Sequence, residues 1–462
     1  MAHRTFLCRL ILVAVFGVCS INIFTADSAP SFFLRYSKPS AHAAPHQDIF
    51  CPQSEIAEDV LVILRTGATE SRQKVPVHFQ TSLRCVPNFA IFSDMDEEIE
   101  GHAVEDVLGG VSEGMRREHA DFELYRQLQT HGRAGIADQK VITAQSGSSK
   151  GDYMNTENLG WKLDKWKFLP MIDRAFQRMP TAKWFVFIEA DTYLNWNNLL
   201  EYLHNFDASK PYYIGKHLYI QDVEFGYGGA GFALSNPAMR KVSEHRSVRV
   251  KDYEDFTASH WVGDCALGKV LEDVKVPLHR AFPHFQGDSP ATLDPATTKI
   301  DRDAWCFPVV TYHHVSPAEI QELWDFEQQW FKRHDILLRH RDIFTQHIRP
   351  QISAEKAHWD NMSDQEFAAK SFSACHNICE NDKECMQYAY EESNKRCLIS
   401  HAFRLGYAAP EKEKGKGKEH GEITSGWMVD RVDELFLKLE SKCGIRDWFS
   451  PKGGSIMHRR KR

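Results

Sequence analysis

Two acids one residue apart, Glu189 and Asp191, close the segment Lys183-Trp184-Phe185-Val186-Phe187-Ile188-Glu189-Ala190-Asp191-Thr192-Tyr193. The apolar run from Trp184 to Ile188 predicts a buried strand. Carboxylates delivered at the C-terminal end of such a strand are a common way to hold a hard divalent cation in an α/β protein. Such cations grip phosphate oxygens, so the segment points to metal, phosphate and, by extension, a nucleotide-activated substrate. A second reading stays open: a strand followed by an acidic helix N-terminus, which the helix dipole favours by itself.

These acids need a sheet to carry them. Asp59-Val60-Leu61-Val62-Ile63-Leu64, ending at Arg65-Thr66-Gly67, and Phe89-Ala90-Ile91-Phe92, ending at Ser93-Asp94, are near-continuous apolar runs of the kind that form buried parallel strands. Helical patterns around Glu118 to Leu128 and Trp166 to Arg178 alternate with them, which predicts an α/β doubly wound sheet. Ligands of such sheets sit at the carboxyl ends of the strands, where Thr66, Asp94 and Asp191 all fall.

Further along, Tyr227-Gly228-Gly229-Ala230-Gly231-Phe232 lets a backbone pass close to a ligand, or makes a tight bend before a strand. It lacks the Lys-Ser/Thr of a phosphate loop. Trp261-Val262-Gly263-Asp264-Cys265 opens a predicted helix; Asp264 is a cap or a working carboxylate. Trp184, within an apolar strand, reads as core. His313 and His314 precede Ser316-Pro317-Ala318-Glu319, a capping box with proline at the first helical position. Each is a structural histidine or a ligand.

The chain has 462 residues, 42% hydrophobic and 26% charged, with net charge −7. That length suits two or three domains, and that charge argues against a nucleic-acid-binding protein with a broad basic face. Arg4 and Arg9 precede an apolar stretch from Leu10 to Ala26, which predicts a membrane anchor over residues 1–28, with the remainder in the secretory lumen. Residues 29–50 read as a stem. Eleven cysteines fit an oxidising compartment. Nine lie beyond the N-terminal segment, so at least one is unpaired within the chain; Cys51–Cys85 and Cys265–Cys306 are the pairings expected from proximity. Near residue 350 the character changes: Cys375, Cys379, Cys385 and Cys397 form a compact cluster, better suited to disulfides than to zinc. Asn361-Met362-Ser363 matches a glycosylation acceptor. Glu411 to Glu419 reads as a charged, glycine-bearing loop, and residues 451–462 as a basic tail.

The ordered set Thr66-Gly67-Ala68-Thr69-Glu70, Trp161-Lys162-Leu163-Asp164-Lys165, Glu189-Ala190-Asp191, Gly228-Gly229-Ala230-Gly231, Gly263-Asp264 and Tyr312-His313 resembles the fringe and core 1 β1,3-galactosyltransferase family, in a fungal form. The resemblance covers roughly residues 55 to 345. It implies a GT-A (Rossmann-like) α/β glycosyltransferase domain over residues 51–345, Mn2+, a UDP-sugar donor carrying galactose or N-acetylglucosamine, a glycan or glycoprotein acceptor, inversion at the anomeric carbon, and single-pass type II topology in the Golgi membrane. The cysteine cluster resembles a PAN/apple module, giving a disulfide-rich region over residues 346–450. Carried over residue by residue, the family's metal ligands fall on Asp191, His313 (with His314 as rival) and Glu189, where the family's usual aspartate is replaced. The catalytic base falls on Asp264, preceded here by Gly263 instead of the usual acid. Thr66, Asp94, Lys165, Glu189, Gly229 and Gly231 fall in the nucleotide-sugar site. The competing expectation is a non-catalytic secretory protein that binds carbohydrate or protein through a degenerate transferase domain. A metal-dependent phosphohydrolase would need more His and Asp at strand ends.

Overall fold

The computed structural model describes residues 49–136, 159–299, 302–409, 423–444, 448–449 and 455–456. The expected anchor, the stem but for residues 49–50, the charged loop at 411–419 and the basic tail but for residues 455–456 lie outside them. No helix of the described residues is long and apolar enough to cross a membrane.

The strands of the first part are β1 Val60–Arg65, β2 Phe89–Ser93, β3 Glu97–Ile99, β4 His102–Asp106, β5 Trp184–Glu189, β6 Tyr193–Leu194, β7 Tyr213–Gly215, β8 His217–Ile220, β9 Val223–Gly226, β10 Phe232–Ser235, β11 Leu278–Arg280 and β12 Thr311–Tyr312. Eight of them form one sheet in the order β11-β7-β10-β5-β1-β2-β4-β3. Its centre, β5-β1-β2-β4, is parallel, while β10 and β3 run antiparallel to their neighbours. This is the α/β architecture of a GT-A domain.

Alternation along the central strands explains the layers. Val60, Val62, Leu64, Trp184, Val186 and Ile188 point to one face, where the Trp196–Leu203 helix covers them. Leu61, Ile63, Phe185 and Phe187 point to the other, under the helices Leu159–Arg178 and Gly263–Asp273. Both faces are buried, so β1 and β5 had to be apolar throughout. Trp184 is core as read, fully buried against Phe206 and Tyr212.

The C-terminal region is disulfide-rich. A five-stranded antiparallel sheet built from Lys356–Ala357, Gln365–Ala368, Gln387–Glu391, Arg396–Ser400 and Ile423–Trp427 carries the Phe372–Asn381 helix, tied down by Cys375–Cys397 and Cys379–Cys385. The Val429–Glu440 helix returns to the first part. Arg341 Nη1 and Trp305 Nε1 donate to Glu440, and Cys443 pairs with Cys306 across 137 residues. Trp448 is buried among Tyr202 and His284 of the first part's core.

Two expectations are corrected. Cys51–Cys85 forms, but Cys265 does not pair with Cys306: it is free and fully buried on the inner face of its helix. Nor is Asn361 a glycan acceptor. It is fully buried, its Nδ2 donates to Tyr388 O and Gly426 O, and its Oδ1 accepts from Ser363 Oγ, so the tripeptide staples two strands instead of meeting solvent.

Candidate functional site

The parallel strands β5, β1 and β2 end side by side, which gathers Glu189-Ala190-Asp191, Arg65-Thr66 and Ser93-Asp94 on one sheet edge. Just beyond, β6 pairs with β12, setting Tyr193 opposite Tyr312. That pairing carries His313 beside the acidic loop. Val315 N donates to Asp191 O at 3.0 Å, and buried His78 touches Ala190 O through Nε2 at 2.9 Å. His313 Nε2 lies 3.3 Å from Asp191 Oδ1 and 3.7 Å from Glu189 Oε2. Just past the end of β12, His314, at φ 56°, turns the chain so that its ring lies against that of His313, 3.7 Å between centroids and tilted by 34°. Ligand atoms of Asp191, His313 and His314 lie within 4.8 Å of one another.

Charge in this cluster is self-consistent. Burial would lower the His313 pKa, but the carboxylates of Asp191 and Glu189 push it up to about 9. Burial would raise Asp191, yet Lys74, 3.1 Å from its Oδ2, and His313 hold it well below the usual range. His314 is pushed down to about 4 by burial and by the charge on His313. A carboxylate oxygen and an imidazole whose Nδ1 is buried without a hydrogen-bond partner among the described residues make a donor set that fits a divalent first-row cation.

Glu189 is placed differently. Its carboxylate takes the guanidinium of Arg65, its direct neighbour across β1 and β5, and burial notwithstanding its pKa falls to about 2. Arg65 also holds Asp164 and lies over the Phe168 ring. Asp164 faces Lys167, and Lys167 Nζ reaches Asp94 Oδ2 at 2.8 Å and Thr66 O at 2.7 Å. Asp94 Oδ1 accepts from Ala68 N, fixing the loop after β1. Thr66 Oγ1 is buried with no hydrogen-bond partner among the described residues. Lys165 is not brought to this cluster. Its Nζ lies 2.9 Å from Asp121 Oδ2 and 2.9 Å from His260 O.

The glycine turn closes the site from the other side. Thr192 Oγ1 donates to Gly229 O, and Thr311 Oγ1 to Ala230 O, pinning the turn against the acidic loop and β12. A Cβ on Gly229 would fall 2.1 Å from His313 Cε1, so the imidazole occupies the space that a side chain would need. Gly231 has φ +76°.

Asp264 sits in the first turn of the Gly263–Asp273 helix, but Val262 is the N-cap. Its Oδ2 accepts from Gly228 N and its Oδ1 from Cys265 N, each at 2.9 Å. Burial pushes the carboxyl up to about 7, against the lowering pull of the Gly228 amide and Arg65. Gly263 is required by space: a Cβ there would meet Lys165 O at 2.3 Å and Phe168 Cδ2 at 2.4 Å, which is why no acid precedes Asp264.

Thr66, Asp94, Glu189, Asp191, Gly229, Gly231, Asp264 and His313 therefore share one region, and Lys165 lies beside it. Sequence reasoning missed Arg65, Lys74, Asp164 and Lys167. The last pair had a signal, since opposite charges three residues apart share a helix face; Arg65 and Lys74 had none short of the fold. Against known families, a family model described as Fringe-like matches residues 56–289 of the chain.

Proposed function

We propose, because the chain belongs to the Fringe-like family and is a glycosyltransferase, that it moves a hexose, galactose or N-acetylglucosamine, from a UDP-sugar to a hydroxyl of a glycan or glycoprotein, with inversion and with Mn2+ as cofactor. The observation that carries this reading is the convergence of Asp191, His313 and His314 at the carboxyl edge of the sheet, across the glycine turn from Asp264. Asp191 and His313 would hold the metal, with His314 next to them and Glu189 in support. When bound, the ion offsets charge on the departing diphosphate.

The chain's own groups do the rest. An alcohol is a poor nucleophile until its proton is taken; Asp264, with a pKa of about 7, is tuned to accept that proton near neutrality. Lys74 is a half-buried ammonium beside Asp191, at the end of the short Ser71–Lys74 helix that follows Thr66, and supplies positive charge for phosphate oxygens. Arg65 orients Glu189, and Thr192 and Thr311 pin the Gly228–Gly231 backbone beside the acidic loop.

Fringe-like proteins are secretory-pathway enzymes, and the four disulfides among the described residues suit that compartment. We extend this to a type II Golgi protein whose C-terminal region is a PAN/apple-like binding module. One observation favours the non-catalytic alternative: Glu189 and Asp264 are already satisfied by protein partners. UDP release from a panel of UDP-sugars, with and without Mn2+, separates the two. Metal-dependent release from one donor supports the transferase; no release from any donor supports the binding protein.

A further inference from the structure

A pocket of about 280 Å³ lies where the segment leading into Asp264 meets the Leu159–Arg178 helix, and the chemistry above does not use it. Trp161 and Lys162 line it from the helix, His260 and Trp261 from that segment, together with the more buried Asp121 and Lys165. The two indoles stack with centroids 6.4 Å apart and planes 24° from parallel. Trp261 is 49% exposed, an unusual state for the largest apolar side chain. The polar lining is fixed: Lys165 Nζ bonds His260 O and pairs with Asp121 Oδ2, which also accepts from Trp166 Nε1 at 2.9 Å.

An open indole face bordered by fixed donors and acceptors suits a pyranose, whose C–H face lies on the ring while its hydroxyls reach the polar border. The place in the chain adds to this. Trp261 precedes Asp264 by three residues, roughly 11 Å at full extension, so a short oligosaccharide on Trp261 can present a hydroxyl to Asp264. The backbone of Lys165, which lines the pocket, abuts Gly263, the residue before Asp264. We infer that the Trp161–Trp261 pocket is the subsite for the acceptor glycan, holding a sugar ring beside the one whose hydroxyl is activated. The inference rests on the transferase reading and adds to it the acceptor class, a pyranosidic glycan recognised by stacking.

Saturation-transfer NMR of the full chain with methyl glycosides of galactose, glucose, mannose and N-acetylgalactosamine tests it. At least one glycoside should bind the wild type, with affinity about tenfold weaker in Trp261→Ala and largely retained in Trp261→Phe; thermal unfolding verifies that both variants are folded. Equal affinity in wild type and Trp261→Ala, or no binding of any glycoside to the wild type at tens of millimolar, overturns the subsite. UDP-sugar hydrolysis by the wild type is measured alongside. Its absence overturns the transferase reading, a result distinct from glycoside affinity that ignores Trp261.

Discussion

Asp264 and Gly229 divide the chemistry of the site at the level of single residues. Asp264 must be ionised to take a proton, and burial sets its pKa near 7. The account therefore predicts that kcat/KM falls about tenfold per pH unit below 7, as each protonated Asp264 loses its capacity to accept. In Asp264→Asn, turnover should drop by roughly 10²–10⁴-fold, the range for general-base help, while UDP binding by calorimetry stays within a few-fold of wild type. Unchanged turnover removes Asp264 as the base. Gly229→Ala tests the histidine: its methyl group would overlap the His313 ring, so the imidazole must move. We expect a loss of about 1–3 kcal/mol in stability from overpacking, together with weaker Mn2+ binding by electron paramagnetic resonance. A variant that binds Mn2+ like the wild type would mean that His313 is not a ligand. At this scale the sequence was partly legible. Asp191, Asp264 and His313 stand out because they follow apolar runs or open helices. The ring of Arg65, Asp164, Lys167 and Asp94 does not, because buried ion pairs join residues up to about a hundred positions apart and only the fold brings them together. Asn361 misled for a related reason: a tripeptide motif carries no information about burial.

Among the elements, β1, β2 and β5 were readable from their continuous apolar runs, and the Pro317–Arg333 helix from its capping box, which is present as written. The short strands β7, β10 and β11, three or four residues each, offer too little periodicity to be recognised, and they turn the sheet from parallel to mixed. The Pro317–Arg333 helix also holds a buried acid. Glu327 is buried, its carboxyl bonded to Tyr193 OH two residues after Asp191, and burial pushes its pKa up to about 8. A carboxyl raised above its ordinary 4.5 binds its proton more tightly in the folded state. Its contribution is present in full below about pH 4.5 and is lost as pH rises through 8. Urea midpoints measured from pH 5 to 9 should therefore decline more steeply for the wild type than for Glu327→Gln, which carries no charge to bury. Parallel declines would show that Glu327 does not titrate in this range.

For the whole molecule, the C-terminal region is bound into the transferase by Cys306–Cys443, by Trp305 and Arg341 on Glu440, and by Trp448 in the core. No local pattern reveals a bridge between cysteines 137 residues apart, and the pairing of Cys306 with the nearer Cys265 failed because the latter faces inward from its helix. Chain-entropy reasoning assigns such a bridge about 4–5 kcal/mol. Cys443→Ser should lower unfolding free energy by about 2–5 kcal/mol in denaturant; a change under about 0.5 kcal/mol would mean that the two parts hold together without it. The central claim, that a divalent cation on Asp191 serves sugar transfer, has one direct test: Mn2+ titration of wild type and Asp191→Ala, read by electron paramagnetic resonance and by UDP release from the preferred UDP-sugar. The account predicts that the variant stays folded, loses the bound-Mn2+ signal and loses metal-dependent release together. A folded Asp191→Ala protein that binds Mn2+ and releases UDP at the wild-type rate would contradict it.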